Sequence, residues 1–470
     1  MMKLGVCVVA ILSLSISINA QEKWRFQELL DHALMHRNNL QAIDARIDKA
    51  HWQAREARSH FYPRLELKGY HQMMSEGADL DLSKSRIATT VDTTLPSMTL
   101  EIAGLMVDTG PIDVSVPLDV ALPDQVHLMS DSYSQAMVQF RQPLYTGGRI
   151  RYSIEAAQSL GEVERANRAI LEHEIASQIY RAFYSLVVLD QSQNFIERVK
   201  NDLTAFKNIL NTLAETSDPE ADGERWGLYF LEIDEFELTF QIMHADLEAQ
   251  ILSALGWLSF ASGLKKELTL QDLELAALPL DSIWDWSRLA QELGNHPKLK
   301  KIHRGIEATN ALEKRERAGK KPTLGVEGFY YYYDDDLQAI PRDNAGIRVG
   351  LTMDVFNGGE VKARAGQQAA RRRELEEMEQ ALTGYLDKEC HQLCRDLVRA
   401  KQQMELENRR LKVFQERLDL ALFGFKNGMA EFHDYRDAFL GKCKAMADHL
   451  ARKQGFVETH AKLIEQLGMP

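Results

Sequence analysis

Proline is spread so unevenly along this 470-residue chain that its absences dictate most of what the chain can fold into. A proline inside a helix removes a hydrogen bond and clashes with the preceding turn. None occurs in residues 144–218, 220–278 or 342–469, and six of the twelve fall between Pro63 and Pro143. The Pro-free stretches carry apolar residues three and four apart, as in Ile154, Ala157, Leu160, Val163, Ala166 and Ile170, then Ala176, Ile179, Phe183 and Leu186. That spacing predicts long amphipathic helices. One continuous helix over 148–216 would be roughly 100 Å long. No compact core needs such a helix; helices of this kind persist by packing side by side in coiled coils, and alanines on the apolar face allow close approach.

The chain also repeats itself. Helix, proline, strand occurs around Leu40 and Pro63 and again around Leu299 and Pro322, both pairs 259 residues apart. A second signature, Pro143-Leu144-Tyr145-Thr146-Gly147-Gly148-Arg149, matches Asp354-Val355-Phe356-Asn357-Gly358-Gly359-Glu360 at an offset of 211. Gly147, Gly148, Gly358 and Gly359 thus mark two equivalent strand-to-helix turns. The drop from 259 to 211 means 48 extra residues in the first half, which places an insertion at 75–132. Flanking segments alternate as strands do: 64–74 with 133–141 in the first repeat, 323–334 with 345–356 in the second. Ile347, Val349, Leu351, Met353 and Val355 face one way, and Tyr330 to Tyr333 form a cluster suited to an aromatic belt at a membrane interface. Inside the insertion, Ile112, Val114, Val116, Leu118 and Val120 alternate too, and Pro117 puts that strand at an edge or bulge. The expected organisation is a leader at 1–20, a first repeat at 21–264, a linking segment at 265–295 and a second repeat at 296–470.

The leader follows from Met1-Met2-Lys3, an uncharged and mostly apolar run at 4–18, and the small residue Ala20, the layout of a secretory signal peptide. No later run is long enough to cross a bilayer as a helix, so any insertion would be through strands. After the leader Cys390, Cys394 and Cys443 remain, an odd number that argues against a disulfide framework. The run Cys390-His391-Gln392-Leu393-Cys394 lacks CxxC spacing and a second ligand pair, so buried helical cysteines are expected and no metal or cofactor. A formal charge of −13 speaks against nucleic acid. Phosphate loop, GxSxG elbow and HExxH helix are all missing from the sequence, which gives no reason to expect an enzyme. A barrel in lipid must be closed, and four strands cannot close one. Several chains would have to contribute, two giving eight strands and three giving twelve.

Nearly the whole mature chain resembles the TolC family of outer-membrane efflux proteins. The resemblance rests on the repeat layout, the two aromatic-x-Gly-Gly turns, and the segment Phe425-Lys426-Asn427-Gly428-Met429-Ala430-Glu431-Phe432-His433-Asp434-Tyr435-Arg436-Asp437, similar to the family's second hairpin tip. It implies a mainly helical chain with four membrane strands, a homotrimer closing a twelve-stranded barrel in outer-membrane lipid, and a helical barrel across the periplasm. The implied role is a passive exit duct for a tripartite efflux or type I secretion system, with an inner-membrane pump and a periplasmic adaptor as partners. The 265–295 segment, with Pro279 and Trp284, would form an equatorial belt. Phe425 and Gly428 match the tip motif, and Asp434 and Asp437 match acids that ring the periplasmic entrance. Without the resemblance, two acids in a first turn read as a solvated face favouring the helix dipole. Some members hold that entrance shut with a Tyr and an Arg, where this chain has Phe425 and Ala430; Arg436 is the candidate substitute. Asp218, Glu220 and Asp222 at the first tip read as an adaptor contact or as a solvated turn. The competing class is a periplasmic coiled-coil adaptor or scaffold without a pore.

Overall fold

A computed structural model describes residues 23–73, 75, 78–81, 87–95, 99–102, 105–108, 112–120, 125–129, 132–215, 219–280, 293–334 and 342–468. The expected leader, Asp218 and Trp284 lie outside the described residues, as do the side chains of Glu220 and Asp222. The chain divides into a strand-bearing unit, Asn38–Glu172 with Trp286–His391, and a helical unit made of the remaining segments.

In the strand-bearing unit, α2 (Asn38–Ser59) leads through Pro63 into β1 (Arg64–Met73), and β8 (Ser132–Tyr145) leads into α3 (Arg149–Glu215). The second repeat gives α5 (Pro297–Ala318), β9 (Thr323–Tyr333), β10 (Asp343–Thr352) and α6 (Glu360–Lys426). The four strands form one antiparallel sheet in the order β1-β8-β9-β10. β10 leaves the sheet at Thr352, although Met353 and Val355 prolong the alternation. Thr352 is paired with Thr323, the first residue after Pro322, so no partner strand remains beyond it. Both strand-to-helix turns are built alike. Gly147 and Gly148 have φ of 65° and 95°, Gly358 and Gly359 61° and 86°. Arg149 N–H donates to Thr146 C=O and Glu360 N–H to Asn357 C=O. Two consecutive positive φ values are those a type I′ turn requires and glycine supplies without strain. Gly147 is held sterically as well, since a Cβ there would come 2.7 Å from Lys321 Cβ.

The insertion is a nested series of antiparallel pairs: β2 (Ala78–Asp81) with β7 (Gln125–Met129), β3 (Ile87–Leu95) with β6 (Ile112–Val120), and β4 (Thr99–Ile102) with β5 (Leu105–Asp108). Each of these strands has a single hydrogen-bonded partner, so every one is an edge and Pro117 is tolerated, and β6 lies beside β10 of the main sheet.

In the helical unit, α1 (Phe26–His36), α4 (Pro219–Ser262) and α7 (Phe432–Leu467) join the later parts of α3 and α6. Cys390 and Cys394 are buried on α6. α3 and α7 are the central pair. Ser177 Oγ donates to Ala461 C=O, Gln454 to Ser185 and Lys453 to Gln191, while Tyr180 Oη lies 2.6 Å from His460 Nδ1. Burial pushes His460 down to about 4, and the Tyr180 hydroxyl up. The folded state thus favours a neutral imidazole more than the unfolded chain does. Its contribution is full above about pH 6.5 and is lost as pH falls toward about 4, on the order of 3 kcal/mol. His449, also on α7, is shifted the same way. Thermal melts at pH 7.5 and pH 4 should show this loss, and His460→Gln should reduce it; a melting temperature that ignores pH in this window would contradict it.

Candidate functional site

The second hairpin tip is shaped by backbone geometry. At the end of α6, Met429 N–H donates to Gly424 C=O (2.8 Å) and Gly428 N–H to Phe425 C=O (3.2 Å), with Gly428 at φ 68°. This is a Schellman ending, in which glycine takes the left-handed position. The chain reverses and α7 starts after Glu431, whose N–H donates to Asp434 Oδ2 at 3.0 Å. Asp434 therefore caps the helix as well as carrying an exposed charge. Asp437, one turn on, accepts from Arg436 Nε at 3.2 Å.

Behind this turn lies an aromatic cluster. Phe206 of α3 is buried, stacks on Tyr435 with centroids 3.7 Å apart, and touches Phe425 and Phe432. Tyr229 of α4 stacks on Phe432 at 4.3 Å, and Phe236 and Phe240 meet Phe439. Phe425 is thus a core residue joining the two hairpins. Ion pairs add to the join: Arg436 Nη1 is 3.5 Å from Glu232 on α4, Lys442 Nζ 3.3 Å from Asp202 on α3, and Lys207 Nζ 2.6 Å from Asp234.

Large apolar residues left in water mark the flanking helices. On α4 these include Leu228, Leu231, Leu238, Ile242 and Leu252; on α6 they include Val398, Leu406, Val413, Leu420 and Phe423. Leu231, Leu238 and Leu252 fall on one heptad spacing, as do Leu406, Val413 and Leu420. α4 buries a different stripe, Ile233, Phe240 and Leu247, inside the unit. α3 exposes no large apolar residue among those described, and α7 only Leu440.

The sheet of the other unit is equally one-sided. Leu65, Leu67, Ile347, Val349 and Leu351 are exposed, Leu67 and Ile347 by 77% and 80%. The ladder puts Leu65, Phe140, Gly328 and Ile347 in one row across four strands, so these residues share a face.

Residues 29–204 match the family model described as outer membrane efflux protein. The chain has a TolC-like fold. Among solved structures it resembles CusC, a protein that forms a transmembrane channel, at 13% identity and TM-score 0.71, covering 95% of this chain and 92% of that one. VceC of Vibrio cholerae gives 15%, 0.67, 94% and 96%, and the open state of the MtrE outer membrane channel of Neisseria gonorrhoeae gives 16%, 0.69, 94% and 89%. No curated protein matches the sequence. An exposed apolar sheet face of this kind suits a barrel in lipid.

Reading the sequence did not single out Phe206, Tyr229 or Glu232. Phe432, Tyr435 and Phe439 stand three and four apart and could have been read as a buried aromatic face. Their partners, more than 190 residues away, carry no such local signal.

Proposed function

We propose that this chain is one third of a trimeric channel-tunnel, a passive exit duct for substrates delivered by an inner-membrane pump through a periplasmic adaptor, in a tripartite efflux or type I secretion system. The observation that carries the reading is that both units are unfinished at their margins. The sheet ends in two unpaired strands, β1 and β10, beneath an apolar face, and an open edge in lipid leaves backbone groups without partners. The helical unit ends in two apolar heptad stripes, on α4 and α6, each awaiting another helix. Further copies of the chain complete both. A scaffold without a pore leaves the sheet's exposed leucines and isoleucine unexplained.

On this reading Asp434 and Asp437 supply six carboxylates around the periplasmic mouth, Phe425 and Gly428 shape the turn that presents them, and Asp218, Glu220 and Asp222 meet basic groups of the adaptor. Such a ring favours cations. Because Asp434 also caps α7, the charge is best removed as Asp434→Asn with Asp437→Asn, since asparagine still caps a helix. In planar bilayers the purified oligomer should give discrete, cation-preferring channels, and the double variant should move selectivity toward neutrality. Unchanged selectivity would dismiss the ring. Protein that stays soluble without detergent and never conducts would dismiss the tunnel.

The insertion between β1 and β8 would then lie on the outer side of the cell. Protease added to intact cells should cut within 75–132 and leave the remaining chain in the membrane; full protection would refute this placement.

A further inference from the structure

The face of the sheet opposite its apolar one carries an uneven charge. The ladder sets Arg64 against Arg141, Arg141 against Glu327, and Glu327 against Arg348, one residue from each strand. Directly opposed residues share a face, so three guanidiniums and one carboxylate make a single row. Glu327 is already engaged: Arg141 Nε lies 3.2 Å from its Oε1, Gln139 donates to the same oxygen, and its side chain is only 9% exposed. Arg64 Nη2 lies 3.1 Å from His60 Nδ1, and Arg348 lies over the Phe329 ring, 4.6 Å from its centroid. That ring in turn occupies the space above Gly346, where a Cβ would strike it. Neither Arg64 nor Arg348 meets a carboxylate among the described residues.

Among the described residues nothing else on this face offsets the surplus. Glu66 is paired with Lys68 at 3.2 Å. Farther along, the rows hold neutral groups such as Tyr70 with Gln135 and Tyr333, and Met137 with Tyr331 and Asn344. Among the described residues, each chain therefore keeps two positive charges, Arg64 and Arg348, that meet no carboxylate at one level of the sheet. If the chain forms the trimeric tunnel proposed above, on which this inference rests, the polar face lines the lumen and six guanidiniums gather there. Rings of arginine favour anions, low-dielectric walls focus their field, and the planar fork of arginine matches oxyanions.

We propose that the barrel lumen carries an anion-binding belt at Arg64 and Arg348, which takes solutes bearing carboxylate, sulfonate or phosphate groups. The test uses the intact oligomer in planar bilayers with tripolyphosphate as probe, added to each side in turn. Wild-type channels should be blocked from the barrel side, and Arg64→Gln with Arg348→Gln should weaken the block by about tenfold or more. The lysine pair Arg64→Lys with Arg348→Lys keeps the charge and should retain most of the block. If the glutamine pair does not insert, Arg348→Gln alone should weaken block about threefold, because it keeps Arg64 in place. Conducting channels that tripolyphosphate blocks equally in wild type and variant, or not at all, overturn the belt and leave the tunnel standing. Absence of any channel overturns the tunnel and the belt with it.

Discussion

Val413→Glu is expected to leave a folded chain that no longer forms the proposed trimer. Val413 lies in the middle of the exposed heptad stripe of α6, between Leu406 and Leu420, and is itself 63% exposed. Its change should therefore cost the isolated chain little. In a ring it would face the apolar stripe of a neighbour's α4. Each interface then forfeits roughly 1.5–3 kcal/mol of apolar burial and must also desolvate a carboxylate, at a cost of about several kcal/mol more. Three equivalent interfaces multiply the effect. Leu238→Glu on the α4 stripe should act in the same way. Lys412→Ala, on a different face of α6, should be neutral. Size exclusion in detergent with static light scattering measures the outcome, and far-UV circular dichroism checks that the helices remain. A trimer that survives both glutamate substitutions would mean that α4 and α6 do not meet in the ring.

Phe206→Ala should have the largest effect on the tip, larger than breaking its ion pairs. Removing a buried aromatic ring costs about 3–5 kcal/mol, and Phe206 is the residue that Tyr435, Phe425 and Phe432 share. The Arg436–Glu232 pair has side chains 36% and 38% exposed at 3.5 Å, and a pair so wet contributes about 0–1 kcal/mol. The aromatic cluster, rather than the guanidinium that sequence comparison suggested as a substitute latch, is thus expected to hold the two hairpins together. Phe206→Ala should lower the melting temperature and raise the single-channel conductance, whereas Arg436→Gln should do neither to a comparable degree. The reverse order of effects would show that the latch is ionic.

How much of this was legible in the sequence differs from element to element. The repeat offsets pointed to all four strands of the sheet, because the two Gly-Gly turns and the prolines before β1 and β9 are local necessities: glycine accepts the positive φ without strain, and a helix does not continue through a proline beyond its first turn. The end of β10 was not legible. Met353 and Val355 keep the alternation going, but a strand stops where its neighbour stops, and that depends on Pro322 in another segment. The insertion's strand character could be read from Ile112 to Val120, whereas its nested pairing could not, since register is a relation between two distant stretches. At the tip, Asp434 and Asp437 were singled out by motif. Their attachments, one to the Glu431 amide and one to Arg436, came only with coordinates.

The same physical division runs through the protein as a whole. Sequence by itself determined where the long helices and the strands of the main sheet fall and where the chain turns between them, because propensity and periodicity act within a few residues. It also determined that the sheet has an apolar face, because side chains alternate along a strand. Only the tertiary structure decided that Phe425 belongs to a core rather than a latch, that α4 and α6 are the helices with a stripe left over, and that Arg64, Arg141, Glu327 and Arg348 fall in one row. Each of these depends on which distant surface comes to lie opposite, and that is settled by the packing of the whole chain rather than by any segment of it.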